Sequence, residues 1–210
     1  MKRAAKHADR FRSLARSLLR GETPSVPEPH EPLPTLVRAA MSFDVSDAKA
    51  DEAMRLINHE FVDLNELRVA TQLEIQELLG QRYPRIEDRV EMITQSLNAI
   101  FMSESKLSLD RLRTIPKREA RQFLKELPGI HPFVEAYVML FAFDSPAFPM
   151  DDQIAQFLVE EGALKAGLSL DEAQRFAENH LKAEETRDVF MALRRAAADD
   201  GGHRNRKARG

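Results

Sequence analysis

The chain of 210 residues contains no cysteine. That excludes an iron–sulfur cluster held by thiolates and fits a reducing, cytoplasmic compartment. No apolar run approaches the roughly 18 residues that a membrane span requires. The charged N-terminus has none of the apolar region of a secretory signal. No stretch alternates with period 2 for long enough to make a strand, and no segment repeats at an interval of about 20–50 residues. The six histidines, His7, His30, His59, His131, His180 and His203, show no metal-ligand spacing. There is no glycine-rich phosphate loop and no nucleophile–base motif. What is left is a helical protein, with 43% apolar residues for a core and 31% charged residues for solubility.

The net charge of −3 is unevenly spread. Residues 1–20 hold seven basic side chains against Asp9, a net +6. Residues 203–210 hold Arg204, Arg206, Lys207 and Arg209, a net +4, so the body between these ends carries −13. Phosphate neutralisation supplies most non-specific DNA affinity, and an acidic body works against it. Locally the sign reverses. Residues 106–125 set Lys106, Arg111, Arg113, Lys117, Arg118, Arg121 and Lys125 against Asp110 and Glu119, a net +5.

That basic strip runs into Leu127-Pro128-Gly129-Ile130-His131-Pro132-Phe133. Ala120, Phe123, Leu124 and Leu127 have helical spacing, Pro128-Gly129 ends that helix, and Pro132 suits the first turn of another. Phe133, Ala136, Tyr137 and Leu140 share one face of the second helix. A hinge of this kind aims backbone N–H groups outward, a ready anion site. Around it, helical spacing predicts a basic N-terminal helix containing Phe11, Leu14, Ala15 and Leu18 and ended by Gly21. A short helix after Thr35 is expected next. Further helices are capped by Ser46, Asp63, Thr71 with Glu74, and Ser169 with Glu172. A long amphipathic helix runs from Ile86 to Phe101, and the last helix contains Val189, Phe190 and Leu193.

The hairpin Leu127-Pro128-Gly129-Ile130, the apolar helix, Phe141-Ala142-Phe143-Asp144-Ser145-Pro146-Ala147 and Met150-Asp151-Asp152-Gln153-Ile154 together resemble the endonuclease III branch of the helix-hairpin-helix DNA glycosylases. The likeness covers residues 31–195 or so. It implies an all-α, two-lobed fold in which both chain ends share a lobe. The lobes would meet at a cleft holding Asp151, the position matching the family's catalytic aspartate. Many members carry a lysine eighteen residues before it; that position here is Phe133. The hairpin's second glycine is replaced by His131, Pro132 removes an N–H, and no glutamine stands at 41–45 where the family inserts one into DNA.

On this resemblance the domains are a basic helix over 1–21, a proline-rich linker over 22–34, the glycosylase-like domain over 35–198 and a basic disordered tail over 199–210. The implied activity is base-excision repair on double-stranded DNA. Asp151 would be the catalytic carboxylate, with Gly129, Ile130 and His131 on phosphate and Arg118, Arg121 and Lys125 adding charge. Phe133 and Tyr137 are candidates for the base pocket, with core packing as the alternative reading and the favoured one for Phe133. Without the lysine no Schiff base forms at 133, so the enzyme would use water and leave an abasic site. No cofactor and no metal are expected, although a monovalent cation on the hairpin carbonyls stays open. A monomer is expected, with no membrane partner. Two other readings stand beside this one: a non-catalytic descendant that binds DNA or protein, and a helical protein–protein module. Asp151 also has two readings, since aspartate is a favoured helix cap.

Overall fold

A computed structural model describes the backbone of residues 2–20 and 30–207 and the side chains of residues 6–20 and 30–198. Most of the proline-rich linker and the basic tail therefore lie outside the described side chains. Among the described residues there are eleven α-helices and no strand: α1 (Lys2–Leu18), α2 (Pro32–Ser42), α3 (Asp47–Glu60), α4 (Leu64–Val69), α5 (Gln72–Leu79), α6 (Ile86–Glu104), α7 (Lys117–Lys125), α8 (Pro132–Ala142), α9 (Asp152–Glu160), α10 (Leu170–His180) and α11 (Thr186–Lys207). None is long and apolar enough to cross a membrane. The chain divides into two compact units. One comprises Met1–Glu28 with Ser145–Gly210, the other Pro29–Asp144.

Local chemistry sets most helix starts. Asp63 Oδ1 accepts from the Glu66 N–H at 2.9 Å. Thr71 with Glu74 and Ser169 with Glu172 close reciprocal capping boxes, each satisfying donors that have no partner inside the helix. Ser46 takes the cap position of α3 without a side-chain bond. Helix α2 begins at Pro32, three residues before the expected Thr35. Proline is pre-organised for a first turn and lacks only an N–H that the helix would leave unpaired anyway.

In the unit containing both chain ends, α1 packs on α10 and α11, and α9 packs on the same two helices. Phe11 is buried against Phe176, with centroids 5.5 Å apart, and Phe148 meets Phe190 edge-on at 5.8 Å. The basic face of α1 is partly tied down: Arg10 donates to the Glu161 carboxylate at 2.7 Å and to the Glu161 carbonyl at 2.9 Å.

In the other unit α2 packs on α3, α6 and α8. Every residue of α8 from Phe133 to Ala142 is buried. Arg89 on α6, fully buried, staples the end of α2. It donates to the carbonyls of Pro84 (2.7 Å), Ala40 (2.5 Å) and Phe43 (2.6 Å), and its guanidinium lies 3.9 Å from the Phe43 ring centroid. Tyr83 adds a hydrogen bond to the Met41 carbonyl at 2.7 Å. The backbone at 41–43, the end of α2 and its cap, where the DNA-inserting loop is expected to begin, is thereby held in place.

Candidate functional site

Asp151 sits where the extended segment after α8 enters α9. Ala147, Phe148 and Met150 are buried on one side of it and Ile154 on the other. The Phe148 N–H donates to Glu178 on α10 at 3.1 Å, which fixes the approach. Asp151 caps α9: its Oδ1 accepts from the Ile154 N–H at 2.9 Å. Its Oδ2 lies 3.7 Å from the Arg194 guanidinium on α11. Asp151 is 2% exposed and Arg194 6%. Neighbouring Asp152 is exposed, so the adjacent carboxylates occupy different environments. Arg194 did not stand out in the sequence. The signal for it is its place four residues after buried Phe190, on the inward side of α11.

The hairpin lies in the other unit. Ile130 N–H donates to the Leu127 carbonyl at 3.2 Å, and Gly129 turns the chain with φ +67°, a conformation glycine adopts without strain. Gly129 is exposed and Ile130 half-buried. His131, also half-buried, caps α8 with its own ring: Nδ1 accepts from the Phe133 N–H at 3.2 Å. That bond uses the neutral imidazole with Nδ1 unprotonated. The same ring stacks on Phe43, 4.5 Å away and 3° from parallel. Phe133 is fully buried, packed against Phe43 and Tyr137. Tyr137 is buried too. Its hydroxyl meets Arg38 Nε at 3.4 Å, and its ring lies 4.3 Å from that of Phe141. Both aromatics occupy core positions of α8.

The basic strip before the hairpin is only partly available. Arg111 pairs with Glu104 at 2.7 Å. Arg113 donates to the carbonyls of Ala142 and His30 at 3.0 Å. Lys117 donates to the Phe143 carbonyl. Arg121 holds the buried Glu135 at 2.7 Å. Arg118 and Lys125 are exposed. Seven residues apart on α7, they share a face two turns long. The predicted DNA contacts thus separate into an exposed set, Arg118, Lys125 and Gly129, and a set with structural duties, Arg121 and His131. Asp151 lies in the other unit. Among the described residues no cluster of acidic and imidazole side chains has the makings of a metal site.

An all-α chain with this helix order, a Leu-Pro-Gly hairpin between α7 and α8, and a capping aspartate at the start of α9 has the fold of the helix-hairpin-helix DNA glycosylases. Three solved structures make the likeness concrete. The 8-oxoguanine glycosylase/lyase of Clostridium acetobutylicum, in complex with double-stranded DNA containing cytosine opposite 8-oxoG, superposes with a TM-score of 0.70 and 15% identity over 92% of this chain and 70% of that one. A trapped endonuclease III–DNA covalent intermediate gives 0.68 and 15% over 89% and 84%. The 3-methyladenine DNA glycosylase of H. pylori bound to 1,N6-ethenoadenine gives 0.68 and 12% over 93% and 98%. No family model matches the sequence, and no curated protein matches it either.

Proposed function

We propose that this protein is a monofunctional DNA glycosylase of base-excision repair. It hydrolyses the N-glycosidic bond of a damaged or mismatched base flipped from duplex DNA and leaves an abasic site. The observation that carries the reading is Asp151, a buried carboxylate at the matching position of a chain whose fold is that of DNA glycosylases along about nine-tenths of its length. As the base departs, the sugar becomes cation-like. A carboxylate beside it stabilises that charge and orients the attacking water. The water oxygen bonds to the sugar's anomeric carbon as the C–N bond breaks, and the one proton the water gives up is balanced by the one proton the departing base takes up at its nitrogen.

Two features of Asp151 suit this role. The Ile154 N–H donates to one carboxylate oxygen and the Arg194 guanidinium faces the other. They hold it still, so little reorganisation accompanies the reaction. Phe133 supplies no amine, and its ring is enclosed by Phe43 and Tyr137. Lyase chemistry through a Schiff base therefore has no nucleophile at that position. On the DNA side, Arg118, Lys125 and the exposed Gly129 offer charge and backbone to phosphate, which positions the duplex without reading sequence.

A second reading, a non-catalytic descendant that binds DNA or protein, is favoured by one observation. Arg111, Arg113, Lys117 and Arg121 each hold a partner within the chain. The test separating the two is base release from a panel of duplexes bearing damaged or mismatched bases, scored before and after alkali. The glycosylase gives breaks that need alkali. Breaks without alkali contradict the monofunctional assignment, and DNA binding with no release from any duplex supports the descendant.

A further inference from the structure

One corner of the Pro29–Asp144 unit has the wrong chemistry for DNA. The end of α3, all of α4 and the length of α5 enclose an open groove of about 540 Å³. Four carboxylates line it, Glu60, Glu66, Glu74 and Glu77, with Phe61 and Val69 among its apolar residues and no cationic side chain. Arg68, the basic residue of α4, is directed elsewhere: its guanidinium donates to Asn98 on α6 at 2.9 Å and lies 4.2 Å from the Phe101 ring centroid.

Two of the four glutamates serve the local fold. Glu74 closes the capping box with Thr71, and Glu66 accepts from the Val62 N–H at 2.6 Å. Among the described residues Glu60 and Glu77 make no hydrogen bond and no ion pair. The same corner exposes large apolar side chains: Val62 is 93% exposed, Val69 67% and Leu73 59%. A single exposed apolar residue is ordinary on a protein surface. Val69 lines the groove, and Val62 and Leu73 stand next in sequence to its lining residues Phe61 and Glu74, so apolar and charged side chains alternate along its rim, the pattern of a binding surface. Leu73 lies one helical turn before Glu77 on α5, so an apolar contact and a carboxylate fall on the same face.

We infer that this groove docks an amphipathic segment of a protein partner, one rich in lysine or arginine, whose apolar side chains seat against Val62, Val69 and Leu73 while its cationic heads meet Glu60 and Glu77. Charge complementarity selects that occupant, since four glutamates repel a phosphate backbone and attract a basic helix. The inference is independent of the glycosylase reading. It gives the protein a partner-binding face whether or not Asp151 acts on DNA.

The probe is a fluorescein-labelled synthetic helix of about four turns built from leucine and lysine in amphipathic register, beside a counterpart with glutamate in place of each lysine. Fluorescence anisotropy measures binding to the full chain and to three variants, Val69→Ser/Leu73→Ser, Glu60→Gln/Glu77→Gln, and the charge-matched control Glu87→Gln/Glu184→Gln. All substituted residues are exposed, and unchanged melting curves verify that the variants fold. The expected result is binding of the lysine probe to the wild type and to the control, about tenfold weakening in each groove variant, and no binding of the glutamate counterpart. Equal affinity for all four proteins would overturn the inference, because the probe would then be reading overall acidity. Binding of a labelled short DNA duplex that is lost in the groove variants would overturn it as well. So would a concentration-dependent dimer in sedimentation that disappears in the groove variants, since the occupant would then be a second copy of this chain.

Discussion

Replacing Arg89 with Met is expected to lower the melting temperature by roughly 6–12 °C. The guanidinium reaches three carbonyls, those of Pro84, Ala40 and Phe43, at 2.5–2.7 Å, and no part of the side chain is exposed. Methionine fills most of the volume and restores none of the donors. Each orphaned carbonyl costs about 1–3 kcal/mol, so about 6 kcal/mol is lost. Against this stands the cost of burying the cation. Burial pushes the Arg89 guanidinium down to about 10, a desolvation worth about 3 kcal/mol at ~1.4 kcal/mol per pH unit. The side chain is still charged at neutral pH, and the variant escapes its desolvation cost. The difference is about 3 kcal/mol, and a chain of this size loses about 2–4 °C per kcal/mol. Far-UV circular dichroism melts at neutral pH measure it. Arg89→Lys should fall between the two, because one ammonium cannot span three carbonyls set in a guanidinium's plane. A loss under about 3 °C for the methionine variant would refute the idea that this staple holds the end of α2.

The Asp151–Arg194 pair gives a second expectation. Arg194→Met strands a buried carboxylate and should cost about 3–5 kcal/mol in urea unfolding, whereas adding Asp151→Asn should recover a large part of that loss; additive costs would mean that the two charges do not interact. The capping carboxylates of Glu74 and Glu172 are held below the usual carboxylate range, Glu74 first by the Thr71 hydroxyl and Glu172 first by the Ser169 N–H. Their stabilisation is therefore complete above the unfolded value and is lost as pH falls through the lower folded value. Glu172→Gln should accordingly lower stability at neutral pH and flatten the acid limb of the stability–pH curve, so that the two proteins converge at low pH. Finally, Arg118→Ala/Lys125→Ala should weaken binding to every duplex alike and reduce the slope of log affinity against log salt by about 2, as read by anisotropy titrations; an unchanged slope would remove these two side chains from the DNA interface.

Much of the fold could be read from the sequence because its signals are local. Thr71 and Glu74, Ser169 and Glu172, and the Asp63 cap lie within one turn of what they bond, so spacing alone reveals them. The Leu-Pro-Gly hairpin is legible for the same reason, and the order of helices around it carried the resemblance to the glycosylase fold. What escaped notice depends on partners far along the chain. Arg89 stands among Ile86, Val90 and Ile93 in the apolar stripe of α6, which signals burial, yet its acceptors at Ala40 and Phe43 come from another helix. Arg194 shows the same pattern beside Phe190 and Leu193. Charge was the least transparent property. The strip over 106–125 reads as a continuous basic surface, but Arg113 and Lys117 turn to backbone carbonyls and Arg121 to Glu135, pairings that only the folded chain creates. Asp151 illustrates a different point. Its two readings, cap and reactive carboxylate, are compatible, because accepting the Ile154 N–H and facing Arg194 both leave the side chain a carboxylate.

The most direct test of the account is single-turnover base release by the wild type beside Asp151→Asn, on the duplex that a panel of damaged and mismatched bases identifies as substrate. Both proteins should bind it with similar affinity, since the substitution keeps the side chain's shape and removes its charge. The wild type should release the base and leave a site that breaks only with alkali, and the variant should be slower by about a hundredfold or more. Equal rates in the two proteins would contradict the assignment of Asp151 as the catalytic carboxylate, and with it the central claim.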